Sequence, residues 1–200
     1  METATAMHPL TRNDLLSLEQ YSSERQAFRQ RVMQHKRHRR VDLGDCVSLY
    51  FEDRLTMHYQ VQEMLRAERI FEAEGIQEEL DAYNPLIPDG SNWKATMMIQ
   101  IADIEARRVA LASMQGIERQ VWMRVGEHPP VRPIADEDLE RETEEKTSSV
   151  HFLRFELTPE MVAAAKAGAP LSAGIDHPAY RAESGPLPEA VRQALVADLD

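Results

Sequence analysis

Cysteine is nearly missing from this chain: among 200 residues only Cys46 carries a thiol. One thiol closes no internal disulfide, which suits a reducing compartment, and it cannot by itself hold an iron–sulfur cluster, whose irons are normally bound by several cysteines. Long apolar runs are missing too. No stretch approaches the roughly 18–20 apolar residues of a membrane-spanning helix. The N-terminal METATAMHPL also lacks the basic-then-apolar order of a signal peptide. The expectation is a soluble, cytoplasmic protein. Positive charge is scarce, with 23 Lys and Arg against 34 Asp and Glu and a formal net charge of -11. General nucleic-acid binders and anionic-membrane binders need the opposite balance. No internal repeat, phosphate-binding glycine loop, G-x-S-x-G elbow, H-E-x-x-H or cysteine zinc pattern occurs. Glu-x-x-His, which sets two ligands of a di-iron bundle on one helix face, is absent as well.

What is present centres on Val47 to Ile70, VSLYFEDRLTMHYQVQEMLRAERI. Its first half alternates, with Val47, Leu49 and Phe51 on one face, and predicts a strand. From Asp53, a suitable N-cap, the apolar period changes to that of a helix through Leu55, Tyr59, Val61, Met64, Leu65 and Ile70. Before it, Thr11 and Asp14 have capping-box spacing and predict a helix running towards His38, after a loose lead-in over residues 1–10. After it, Gly75 is expected to break the helix or open a short second one, Ile76 to Ala82. Tyr83 to Asn92 is turn chemistry stiffened by Pro85 and Pro88, a rigid surface loop of the kind that borders sites. Strands are expected at Ala95–Ile101, Arg119–Val125, Val150–Leu157 and Leu171–Ile175, with a short edge strand at Val131–Ile134, where Pro133 cannot serve a central ladder. Helices are expected at Asp103–Gln115, from Thr158-Pro159 to Gly168, and at Glu189–Leu199. The acidic run Asp136 to Lys146 reads as a solvated helix, or as a carboxylate cluster for a cation or a basic partner. Together these predict an α+β fold, a mainly antiparallel sheet of about five or six strands with flanking helices, in a single domain over 1–200.

Four sets of side chains are candidates for a site. Arg54, His58, Gln62 and Arg66 succeed one another every four residues along the central helix, with Glu63 in a neighbouring row. Such a row is either a solvated face or a groove able to bind an anion, move a proton or meet a partner. The basic run His35-Lys36-Arg37-His38-Arg39-Arg40 either complements a helix C-terminus or offers a phosphate or acidic-partner patch. His151 shares an apolar strand face with Leu153, Phe155 and Leu157, as a bonded core histidine or as a site residue in a low-dielectric setting. Asp176 and His177 end a strand as an acid–base pair in sequence, although adjacent strand residues point apart and each is expected to serve a different neighbour. If His58, His151 and His177 converge with Glu63, they form a ligand set suited to iron or zinc.

The strings YFEDRLTMHYQVQEMLRAERI, ELDAYNPLIPDGSNWKATMMI, EEKTSSVHFLRFEL and GIDHPAY, taken together, resemble over nearly the whole length an uncharacterised bacterial family of unknown function. Members are often encoded beside rubrerythrin-like proteins and iron–sulfur proteins resembling heterodisulfide reductase subunits. The resemblance implies a place near peroxide or electron-transfer chemistry. Because the chain lacks cluster cysteines, the expectation is an accessory or interaction subunit of such a redox system, with no iron–sulfur cluster of its own, docking on those redox proteins. Two alternatives stand beside it: a metal- or haem-binding protein or oxidoreductase with a His/Glu site, and an anion or nucleotide binder using Arg54, Arg66 and the basic run.

Overall fold

The computed structural model describes residues 7–143 and 145–200. The change of period at Asp53 is where strand becomes helix: β2 (Val47–Glu52) ends and α2 (Arg54–Glu68) begins. Asp53 accepts the Thr56 amide on its carboxylate and donates its own amide to the Thr56 hydroxyl, both at 2.9 Å. Two orphan donors are thereby satisfied at once, which fixes the helix start.

β2 pairs with β1 (Arg40–Leu43) on one side and β3 (Asn92–Ile99) on the other; β3 pairs with β6 (Val150–Glu156), and β6 with the two-residue β5 (Ile134–Ala135). A second sheet has the order β4 (Val121–Val125), β7 (Leu171–His177), β8 (Tyr180–Ser184), and every pairing in both sheets is antiparallel. The fold is therefore α+β, with eight strands among the described residues divided between two sheets. Inward residues of both sheets, among them Leu49, Phe51, Met97, Phe155, Met123 and Ile175, share one core. At Gly174, on β7, the Trp122 ring crosses so closely that a Cβ would overlap it.

The first three α-helices form apolar clusters of their own, whereas the last three add Leu111, Met161, Val162, Val191 and Leu195 to the shared core. α1 (Leu18–Lys36) buries Tyr21, Phe28 and Val32 against Leu55 and Tyr59 of α2, while α3 (Ala73–Tyr83) adds Leu80 to a cluster with Met57, Val61 and Leu65. α4 (Ile104–Ser113) and α5 (Pro159–Lys166) are capped by Asp103 and Thr158. α6 (Glu189–Val196) is pinned where the buried Trp93 indole donates to the Leu195 carbonyl at 2.8 Å.

Several expectations are corrected. The Thr11–Asp14 box caps only a 3-10 turn, Arg12–Asp14; α1 starts at Leu18 under a second box, Ser17 with Gln20. Of the lead-in, residues 1–6 lie outside the described residues, and Leu10 is buried with its backbone bonded both ways to the Asn84 side chain. Gly75 sits within α3, where a Cβ would crowd Ile70; α2 instead ends at Arg69, whose φ is 56°. Two strands, β1 and β8, lie outside the expected set. The acidic run is not a helix among its described residues; its carboxylates bond elsewhere. Asp136, at φ 52°, accepts the Phe152 amide at 2.9 Å, Asp138 holds Arg141, and Glu142 takes the Gly116 amide. A helix would place these like charges in adjacent rows, whereas the extended path gives each a donor.

Candidate functional site

The polar row of α2 is turned inward. Gln62 is fully buried and bonds the Leu16 backbone at both ends of its amide, at 2.6 and 3.3 Å. Glu63 accepts a two-pronged grip from Arg25, at 2.8 Å on each oxygen, and the Tyr21 hydroxyl at 2.5 Å. Arg54 reaches Asp14 at 2.6 Å and the His8 carbonyl at 3.0 Å. These three residues form a seam with α1 and the segment before it. Arg66 stands exposed in the last turn of α2, near Glu63.

At the other end of that seam a cleft of about 1050 Å³ lies between the C-terminal turns of α1, the first turns of α2 and one side of α6. Arg39 is its keystone. The guanidinium is only 3% exposed and donates to the carbonyls of Phe51, Ala194 and Glu52 at 3.1, 3.1 and 3.4 Å. It also pairs with Asp198 and approaches Asp53 to 3.5 Å, while His35 Nε2 donates to Asp53 at 2.5 Å. A buried cation with its donors used is a structural group that sets the field of the cleft. Burial tends to raise Asp53, but the His35 hydrogen bond and the Arg39 charge outweigh it and hold the carboxyl below its usual range.

Four further basic groups face the same space. Arg31 lies over the Phe28 ring, 4.8 Å from its centre, and His38 sits in the turn after α1; neither has an ion-pair partner among the described residues. Arg54 reaches the wall, as does His58. The His58 ring stands edge-on to Phe28 at 5.0 Å, and its Nε2 is buried with no hydrogen-bond partner among the described residues. Burial, then the Arg54 charge, lowers the tendency of His58 to protonate. Ala190, Ala194 and Ala197 supply an apolar wall from α6, and Pro88 of the stiff loop closes one edge.

Asp198 makes the cleft sensitive to pH. Burial, helped by the neighbouring Asp53 and opposed by Arg39, pushes its carboxyl up to about 7 from an ordinary 3.8. The folded chain therefore retains a proton that the unfolded chain has already lost. The associated stability is complete at low pH and disappears as pH rises through about 7. In Asp198→Asn, which cannot ionise, the expected result is that wild-type Tm minus variant Tm falls between pH 5 and pH 8. A difference that is flat or rises over that span would contradict the assignment; thermal melts across the range decide it.

The three histidines whose convergence a metal site would require have separate surroundings. His151, fully buried on β6, places Nδ1 at 2.5 Å from Asp136, and Nε2 at 2.9 Å from the Thr147 hydroxyl and 3.1 Å from the Ser148 carbonyl. Hydroxyl, imidazole and carboxylate follow the order of a nucleophile triad, but Thr147 is only 1% exposed and does not line the cleft. The trio fastens the 136–147 segment to the sheet. His177, at the end of β7, donates from Nε2 to the Gln115 carbonyl at 2.9 Å and accepts the Ala179 amide at 3.1 Å, so it is the neutral Nε2–H tautomer. Asp176, its neighbour in sequence, faces outward to Arg132 at 3.0 Å. Glu63 is held by Arg25, away from all three. No group of three or more His, Cys, Asp or Glu among the described residues is placed to hold a metal ion, and no helix there is long and apolar enough to cross a membrane.

Of the expected candidates, then, Arg54 and His58 share the cleft with His35, His38 and Arg39 of the basic run. Arg31 and Asp198 were not foreseen. Arg31 precedes His35 by one helical turn, a spacing visible in sequence; Asp198 gives no local signal, since its partner lies 159 residues away.

No curated protein matches the chain. A crystal structure described as a novel protein of unknown function from Burkholderia pseudomallei K96243 is similar to it at 52% identity and a TM-score of 0.89, over 96% of this chain and 100% of that one. The family model described as "Protein of unknown function (DUF3501)" matches residues 9–199, and the chain belongs to that family.

Proposed function

We propose that this protein binds a small, multiply charged organic anion, most simply a phosphate-bearing metabolite, in the cleft between α1, α2 and α6. The observation that carries the reading is the gathering of Arg31, His35, His38, Arg39, Arg54 and His58 on one concavity of a chain whose net charge is -11. Against them stand Asp53 and Asp198, both already committed to the Arg39 network. Arg31 and His38 are the groups left to meet a ligand, with the His58 ring in the wall beside them, and the α6 alanines offer its carbon skeleton a wall. A guanidinium matches phosphate oxygens in pairs, and imidazoles beside it would gain protons as the anion enters. The Arg54–Gln62–Glu63 row is spent on α1 and the segment before it, which leaves the cleft as the basis of this reading.

Calorimetric titration with pyrophosphate and with ADP tests it. The expected outcome is one-to-one binding that tightens from pH 8 to pH 6.5 and weakens at least tenfold, about 1.4 kcal/mol, in the Arg31→Ala/His38→Ala double variant. No saturable binding of either compound, or equal affinity in the variant, would overturn the reading.

A further inference from the structure

A second cavity, of about 380 Å³, shares no lining residue with the cleft. Tyr83, Pro85 and Leu86 form one wall, at the end of α3 and in the stiff turn after it; Phe152 and Leu153 of β6 form another. The lining is mainly hydrocarbon, as in small-molecule sites that take most of their affinity from apolar contact and their orientation from a few polar groups.

The charges around it are unevenly matched. Arg154 is gripped by Glu137 at 2.6 Å and Arg141 by Asp138 at 2.5 Å, whereas Lys94 has no ion-pair partner among the described residues. The Lys94 ammonium donates once, to the Pro85 carbonyl at 2.9 Å, and keeps two N–H groups to spare. Burial, then the Arg154 charge, pulls this ammonium below its usual range against the opposing charges of Glu137, Asp89 and Glu156, of which Glu137 and Glu156 are held by Arg154 and none pairs with Lys94. Asp81, also on the rim, is exposed, where solvent screens it. An apolar slot ending in a half-buried, unmatched ammonium has the chemistry of a receptor for an amphipathic anion.

We propose that this cavity binds a small apolar monocarboxylate, its hydrocarbon body between Leu86 and Phe152 and its carboxylate on the Lys94 ammonium. The site is independent of the cleft. It would tie the protein to a second ligand, organic acids that have an apolar body and a single negative charge.

The test uses 2-naphthoate and its neutral counterpart 2-naphthamide, titrated into the full chain and followed by amide chemical shifts. The expected result is saturable one-to-one binding of the acid, with the largest shifts at Leu86, Phe152 and Leu153, and amide binding at least tenfold weaker. In Lys94→Met the affinity for the acid drops at least tenfold while that for the amide is unchanged. Equal affinity of the wild-type protein for acid and amide would overturn the proposal without recourse to any variant. So would shifts confined to the cleft, or an unaltered affinity for the acid in a folded Lys94→Met.

Discussion

Arg39→Met is expected to lower the unfolding free energy by roughly 3–5 kcal/mol, the usual consequence of removing one partner from a buried charge network. The methionine fills much of the same volume, so the loss is electrostatic and hydrogen-bonding rather than a cavity. It strands the Phe51, Glu52 and Ala194 carbonyls and leaves Asp198 buried beside Asp53 with no cation between them. Arg39→Lys is expected to recover only a minor part, because one ammonium cannot span acceptors on β2, on α6 and at Asp198 as the guanidinium fork does. Urea melts followed by circular dichroism measure this directly. A loss below about 1 kcal/mol would mean that the network is ornamental and that the cleft is held by its alanine contacts alone. Pyrophosphate binding should fall with stability, since the α6 wall is anchored through the same residue.

His151→Ala is the second large effect, expected at about 3 kcal/mol from two sources. Truncation opens a void in a fully buried position. It also leaves Asp136 Oδ2, the Thr147 hydroxyl and the Ser148 carbonyl without the imidazole. The damage should be local first. Amide exchange along 136–143 and 145–147 should accelerate more than exchange in β2 and β3, because this ring joins both ends of that segment, Asp136 and Thr147, to β6. Wild-type-like exchange in the segment would refute the fastening role and reopen a chemical one for the Thr147–His151–Asp136 series. Pyrophosphate binding in the cleft should survive the substitution wherever the variant is folded.

The strands that could be read from the sequence are those whose two faces differ. In β6, Leu153 and Phe155 point in while Arg154 and Glu156 point out, and the alternation survives in the residue order. β8 could not be read that way: Tyr180 to Ser184 is half-buried on one face only and has a single large apolar side chain. β1 was hidden because Arg40 ends the basic run and Asp42 looks like turn chemistry, although Val41 and Leu43 are core residues. The acidic stretch misled for the opposite reason. Its composition favours a solvated helix, and only the three-dimensional supply of donors, Arg141, the Phe152 amide and the Gly116 amide, makes an extended path better.

The site follows the same logic. Arg54 and His58 are legible because helical spacing places them together. That Gln62 and Glu63 turn inward depends on Leu16, Tyr21 and Arg25, which belong to another element. The separation of His58, His151 and His177 depends on their standing on a helix and on two different sheets, a division that no local pattern encodes.

The cleft's three walls come from the thirties, the fifties and the nineties of the second hundred, and the Arg39–Asp198 pair draws the last of these onto the first two. On the proposed reading, a ligand held between them would act as a reversible staple across a pair 159 residues apart. Occupancy and α6 docking would then be one linked equilibrium. A nascent polypeptide that has completed both sheets would lack the proposed receptor until α6 leaves the ribosome. In the finished protein, ligand saturation should be registered in the exchange rates of α6 before it is registered anywhere in the sheets.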